Sequence, residues 1–197
     1  MGNPGDVWVP EEFYWIFACV GNDDGRIKEI RNGYGTNMAF RKEGFDKSGL
    51  FLVWLGSARG SKVPQQTSAE ETELALRMRL KTNKTIVYNP KVHVNHNVCR
   101  FRLEPDYIRK RAYAEGYSKA ILRKLFCNNP ELEALKNERD LLKRIFLRLI
   151  PNLVLSFPRK PITSWRRMNL TFTILTFVAL GYLRGTFFRI ERQEQRL

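Results

Sequence analysis

Glu70 and Glu71 stand side by side, and the chain's two histidines, His93 and His96, follow them. Neighbouring carboxylates with an imidazole downstream are groups that move protons or hold a divalent cation, and no other set of residues in the chain offers chemistry as plainly. There is no G-x-S-x-G, and neither histidine has a serine or cysteine partner in a recognisable motif, so nucleophilic catalysis is poorly supported. Walker and Rossmann glycine fingerprints are missing as well. Cys19, Cys99 and Cys127 are odd in number and far apart, with no C-x-x-C pair. That usage fits a reducing compartment and argues against a thiolate zinc site.

The element that must carry the carboxylates is a helix running from Ser68 through Leu80. Ser68 at its N-cap with Glu71 three residues on spells a capping box, and acids in a first turn suit the helix dipole. Capping alone therefore accounts for both glutamates. After it, Thr85-Ile86-Val87-Tyr88 reads as a short strand ended by Asn89-Pro90. The stretch 92–98 alternates, which predicts a second strand with Val92, Val94, His96 and Val98 on one inward face. An inward histidine is more often a hydrogen-bonded core residue than a ligand, and spacing leaves both open.

Upstream, Trp15 to Val20 is an apolar run that predicts a buried strand closed by the turn Gly21-Asn22-Asp23-Asp24-Gly25. Such a strand needs partners, so elements preceding residue 1 are expected. Arg31 to Lys42 is a glycine-rich and aromatic loop, in which Gly33 and Gly35 permit backbone shapes closed to other residues. It fits either a loop wrapped around a ligand or a plain hairpin turn.

Downstream, Glu104-Pro105 opens a long helix with proline in its first turn. Ile108, Ala112, Gly116 and Ala120 make one row on it, and Tyr113, Tyr117 and Ile121 the next. A further helix from Asn129-Pro130 sets Leu135, Leu142, Ile145, Phe146, Leu149 and Ile150 against Arg139, Lys143, Arg144 and Arg148, the pattern of an interfacial basic helix. Met168 to Leu183 is uncharged, but its 16 residues fall short of the ~20 that span a bilayer unless Arg184 snorkels and Thr186-Phe187-Phe188 extends the run. A full span and an interfacial segment both remain open.

The chain of 197 residues carries a net charge of +14. Residues 1–99 hold 13 basic and 11 acidic side chains, and residues 100–197 hold 21 and 9, so the positive charge belongs to the second half. Basic segments of this kind meet phosphate, in nucleic acid or on an anionic membrane.

The order of these motifs resembles a known family. Asn-Gly-Tyr-Gly-Thr-Asn-Met-Ala-Phe-Arg-Lys (32–42), Ala-Glu-Glu-Thr-Glu-Leu-Ala-Leu-Arg (69–77), Tyr-Asn-Pro followed by His96, and Arg-Ala-Tyr-Ala-Glu-Gly-Tyr-Ser-Lys-Ala (111–120) are together similar to the acceptor-binding half of family 2 inverting glycosyltransferases of the GT-A fold. The likeness covers about residues 8–125. It implies that Glu71 is the catalytic base, with Glu70 beside it, where the family more often has Asp in the second place. It implies also that His96 ligates a divalent cation, Mg or Mn, that Arg111 meets the donor diphosphate, and that Asn37 and Arg41 border the acceptor pocket. Family members begin with a nucleotide-binding half ending in Asp-x-Asp, which this sequence does not contain, so most of the cation's ligands are expected on that missing half.

The expected fold is thus α/β: a partial GT-A acceptor half with a Rossmann-like mixed sheet over 1–127, then a membrane-associating helical region of basic amphipathic and apolar helices over 128–197. The expected function is transfer of a sugar, with inversion, from a nucleotide-sugar donor to a lipid-linked or cell-surface glycan at the cytoplasmic face of a membrane. The donor half would be supplied in the full enzyme or by a separate N-terminal chain, and no nucleic acid is expected as a partner. The competing reading is a non-catalytic basic protein of the membrane surface or of nucleic acid, with Tyr107, Tyr113 and Tyr117 stacking on bases.

Overall fold

A computed structural model describes residues 9–19, 24–55 and 69–188. Its strands are β1 (Lys28–Ile30) and β2 (Ile86–Tyr88), and its helices are α1 (Lys42–Ser48), α2 (Glu70–Thr82), α3 (Pro105–Leu125), α4 (Lys136–Arg144), α5 (Ile150–Ser156) and α6 (Pro161–Thr186). The two strands pair antiparallel with Glu29 opposite Val87. The described residues are therefore mostly helical with a small antiparallel sheet, consistent with a mixed α/β chain.

Helix α3 is the hub. Its Ile108 and Ala112 join Phe13, Ile16, Phe17, Ile145, Leu170 and Ile174 in one core. Its Tyr117, Ile121 and Leu122 join Leu55, Leu76, Phe126 and Leu132 in another. Between the two, α3 meets α6 backbone to backbone. A Cβ on Gly116 would run into the main chain of Val178 and Tyr182, and one on Gly181 into that of Tyr113 and Tyr117. Glycine is required at both because the helices close to a distance that leaves no room for a side chain. Lys124 then donates from Nζ to the carbonyls of Gly185 (3.0 Å), Thr186 (2.7 Å) and Phe188 (2.6 Å), occupying acceptors that the end of α6 leaves unpaired.

Helix α2 is tied to the end of α1 through Arg77, whose guanidinium is held by a buried ion pair within α2. Arg77 grips Glu73 with Nε to Oε1 at 2.6 Å and Nη2 to Oε2 at 2.9 Å, and donates also to the carbonyls of Ser48 and Leu50. A bidentate pair with further carbonyl acceptors suits burial, because few of the guanidinium protons are left idle.

Three expectations are corrected. The run from Trp15 is no strand: Glu11–Phe17 is a 3-10 helix that follows Pro10 and stops at Ala18 in the left-handed region (φ 54). Phe13, Ile16 and Phe17 bury one face at helical spacing, which overrides the apparent apolar strand. The stretch 92–98 is irregular, with Val92 and Val94 more than half exposed. An alternating segment becomes a strand only where a neighbour takes its backbone groups; here β2 pairs with β1, and the carbonyl of Val92 is taken by the Asn37 side chain at 3.0 Å. The helix expected from residue 129 is broken into a 3-10 turn (Pro130–Leu132), α4, a π turn (Ile145–Leu149) and α5. The π turn immediately precedes Pro151, whose ring crowds the carbonyl four residues back and widens the local register. Its intended apolar face is split, since Ile145 is buried while Leu142 and Phe146 are exposed.

No helix among the described residues is long and apolar enough to cross a membrane. Ser68, the expected N-cap of α2, and Gly21, Asn22 and Asp23 of the expected turn lie outside the described residues.

Candidate functional site

The first turn of α2 places both glutamates under the glycine loop. The Glu71 carboxylate accepts a hydrogen bond from the amide of Gly35. Its Oε1 lies where a Cβ of residue 35 would be, so only glycine brings the loop this close. The loop is shaped by a turn in which the amide of Asn37 donates to the carbonyl of Tyr34 at 2.9 Å. The Asn37 side chain then reaches Val92. The loop is not a plain hairpin turn, since α1 follows it and β1 pairs with the distant β2; it folds instead over a carboxylate.

Electrostatics distinguishes this pair from surface acids. Burial pushes the Glu71 carboxyl above the ordinary range, and the Arg111 guanidinium and the Gly35 amide pull it partly back, while Glu115 adds a smaller upward push. Burial likewise raises Glu70, helped by the charge of Glu71 and opposed by Arg111. Glu70 Oε2 is buried without a hydrogen-bond partner among the described residues. A buried carboxylate of raised pKa under a loop is the state in which a general base is neither too weak nor locked in an ion pair.

Arg111 projects from the second turn of α3 and is itself held by a chain of charges along that helix. Its Nη2 lies 3.6 Å from Glu115 Oε2; Lys119 Nζ lies 2.7 Å from Glu115 Oε1 and 3.0 Å from Glu138 Oε1 on α4. Arg31, at the start of the glycine loop, closes the chain by pairing with Glu138 and donating to the Ala134 carbonyl at 2.8 Å. Burial would raise Glu115, but Lys119 and Arg111 hold it below the ordinary range. Burial would raise Glu138 too, yet Lys119 and Arg31 bring it down to about 2. Tyr34 shares this surrounding: burial and the charges of Glu115 and Cys19 raise its phenol, against Arg111 and Arg31.

Of the expected site residues, Glu70, Glu71 and Arg111 are thus brought together, and Asn37 belongs to the same loop. Arg41 is exposed at the residue that opens α1. His96 is half-buried in the irregular stretch, its Nδ1 buried and without a hydrogen-bond partner among the described residues. It offers one nitrogen to a cation, and no group of three or more His, Cys, Asp or Glu among the described residues could hold a metal ion. These residues do not by themselves make the cation site that the resemblance implies. Gly35 was expected for its backbone freedom, whereas what requires glycine there is the Glu71 carboxylate; Tyr34 and Glu115 were not singled out by sequence. The i, i+4 spacing of Arg111, Glu115 and Lys119 was the signal for Glu115.

Two of the α3 tyrosines, Tyr107 and Tyr117, are packing residues. Tyr117 is buried edge-to-face against Phe188 (5.9 Å between ring centres), and Tyr107 stacks edge-on with Phe101 at 5.5 Å. Tyr117 in particular has no free face for a base.

The chain is 28% identical over 181 residues to the glucosyl-dolichyl phosphate glucuronosyltransferase of Haloferax volcanii. This likeness supports a glycosyltransferase. The match takes in 90% of this chain and 55% of that protein, so the chain spans little more than half the length of its relative. No protein-family model and no solved structure matches the chain.

Proposed function

We propose that the chain is the acceptor-binding part of a family 2 inverting glycosyltransferase of the GT-A fold, acting at the cytoplasmic face of a membrane on a lipid-linked glycan. Residues 1–127 would bind the acceptor and residues 128–197 associate with the membrane. The observation that carries the reading is Glu71, a buried carboxylate of raised pKa bonded to Gly35 with Arg111 opposite. The relative's name, a glucuronosyltransferase of glucosyl-dolichyl phosphate, supports a polyprenyl-phosphate-linked sugar as the acceptor.

In this reading Glu71 takes the proton of the acceptor hydroxyl as that oxygen attacks the anomeric carbon. The bond to the nucleoside diphosphate breaks on the opposite face, which inverts the centre, and the diphosphate leaves with the bonding pair. Arg111 faces the charge that develops on it. Asn37 and Arg41 border the acceptor. A divalent cation, when bound, would supply further neutralisation of the diphosphate; His96 can offer it one ligand, and the others would come from the donor-binding part.

The test is Glu71→Gln in the full-length enzyme. Transfer should fall by about a thousandfold, within the range removed with a general base, while donor binding by calorimetry is unchanged. Retained turnover would falsify the assignment.

A further inference from the structure

The corner between α5 and α6 is built like a membrane wedge. Ser156 Oγ and Ser164 Oγ lie 2.9 Å apart and draw the end of α5 against the start of α6. Ser164 is buried, so the neighbours of these serines turn outward. Leu155 is 74% exposed, Ile162 69% and Trp165 62%. Isolated exposed apolar residues are ordinary, but three large ones about one corner are a surface that water solvates poorly.

The charge around it is of one sign. Residues 141–167 contain seven Lys and Arg and no Asp or Glu. Arg159 and Lys160 sit exposed at the tip between the helices, with Arg148 and Arg166 exposed behind them. A protein partner covering an apolar patch has no need of such a uniform rim; an anionic bilayer does, because its head groups surround whatever enters the acyl boundary. A tryptophan beside the basic residues suits that depth, since its ring is apolar and its N–H polar.

We infer that the α5–α6 corner enters the interface of an anionic lipid leaflet, with Leu155, Ile162 and Trp165 in the acyl boundary and Arg159 and Lys160 on the phosphates. This rests on the membrane association proposed for residues 128–197 and places the contact at one corner of that region. Helix α6 after Met168 packs one face on α3 through Leu170, Ile174, Gly181 and Gly185, and exposes Phe172, Leu180 and Leu183 on the other. The inference does not depend on the transfer chemistry, because it is read without donor or acceptor.

Flotation of the 197-residue chain with vesicles tests it. Vesicles of phosphatidylcholine with a quarter phosphatidylglycerol should carry the chain up, pure phosphatidylcholine should carry less, and 1 M NaCl should release only part of what is bound. Leu155→Glu with Trp165→Ser alters exposed positions; it should leave the thermal transition in place and weaken binding at least about tenfold. Arg159→Glu with Lys160→Glu should weaken binding to the anionic vesicles by about fivefold or more per charge. The inference is overturned if Leu155→Glu/Trp165→Ser floats as well as the parent, or if salt releases the parent completely, which would leave charge alone. It is overturned equally if the chain ignores vesicles and instead dimerises through Leu155 and Trp165, seen by sedimentation.

Discussion

The amide of Gly35 is bonded to the carboxylate of Glu71, and the space a side chain would need at residue 35 is filled by that same carboxylate. Loop position and carboxylate position are therefore one variable. Gly35→Ala must push Glu71 or the loop aside, at a cost of about 1–3 kcal/mol for an overpacked contact. In the full-length enzyme the expected result is a fall in kcat of about a hundredfold with donor affinity intact, since a displacement near 1 Å at a reacting group has that effect. Steady-state kinetics beside donor calorimetry checks it.

Arg111 and Glu115 act on Glu71 with opposite signs. In the proposed reaction Glu71 acts deprotonated, so the acid limb of kcat/KM is expected to follow its pKa. Removing the cation with Arg111→Met lifts that pKa further and moves the limb to higher pH. Removing the anion with Glu115→Gln moves it to lower pH. A rate profile in which both variants shift the same way would sink the proposed geometry.

Glu138 is held at about 2 by Lys119 and Arg31. For a carboxyl whose folded pKa is depressed, the stabilisation is present in full above the unfolded value of about 4.3 and disappears as pH falls towards 2. The expected loss is on the order of 2–3 kcal/mol across that window. Urea titrations at pH 7, 4 and 2.5 should show it, and Glu138→Gln should flatten the dependence while lowering stability at pH 7.

Gly181→Ala places a Cβ against the main chain of Tyr113 and Tyr117. The backbone cannot yield as a side-chain end can, so at least about 2 kcal/mol of stability should be lost, despite alanine's better helix propensity. Thermal unfolding monitored by circular dichroism provides the measurement. Alanine in place of the glycine without a drop in Tm would mean that the helices stand farther apart.

Local signals were legible and contingent ones were not. Pro105 and the rows Ile108–Ala120 and Tyr113–Ile121 announced α3 and its buried faces, because a helix states its own periodicity. The run from Trp15 and the alternation at 92–98 misled, because extended structure requires a neighbour that a single segment cannot name. The apolar spacing over 135–150 gave no sign of the π turn that unpicks it. At the site, Glu70, Glu71 and Arg111 were singled out through the order of motifs, and the fold brings them close together. The remainder of the charge chain, Glu115 to Lys119 to Glu138 to Arg31, joins three elements that only folding brings together.

Helices α3 and α6 run parallel and touch at the backbone, with Ala112 level with Ile174 and Ala120 beside Gly185. Contact that close allows little sliding, so the pair behaves as a fixed ruler. From Trp165 to Ile174 it measures nine residues of helix, roughly 14 Å at the α-helical rise. The axial offset between Trp165 at the start of α6 and Arg111 on α3 is therefore fixed, and a shift at one end is carried to the other.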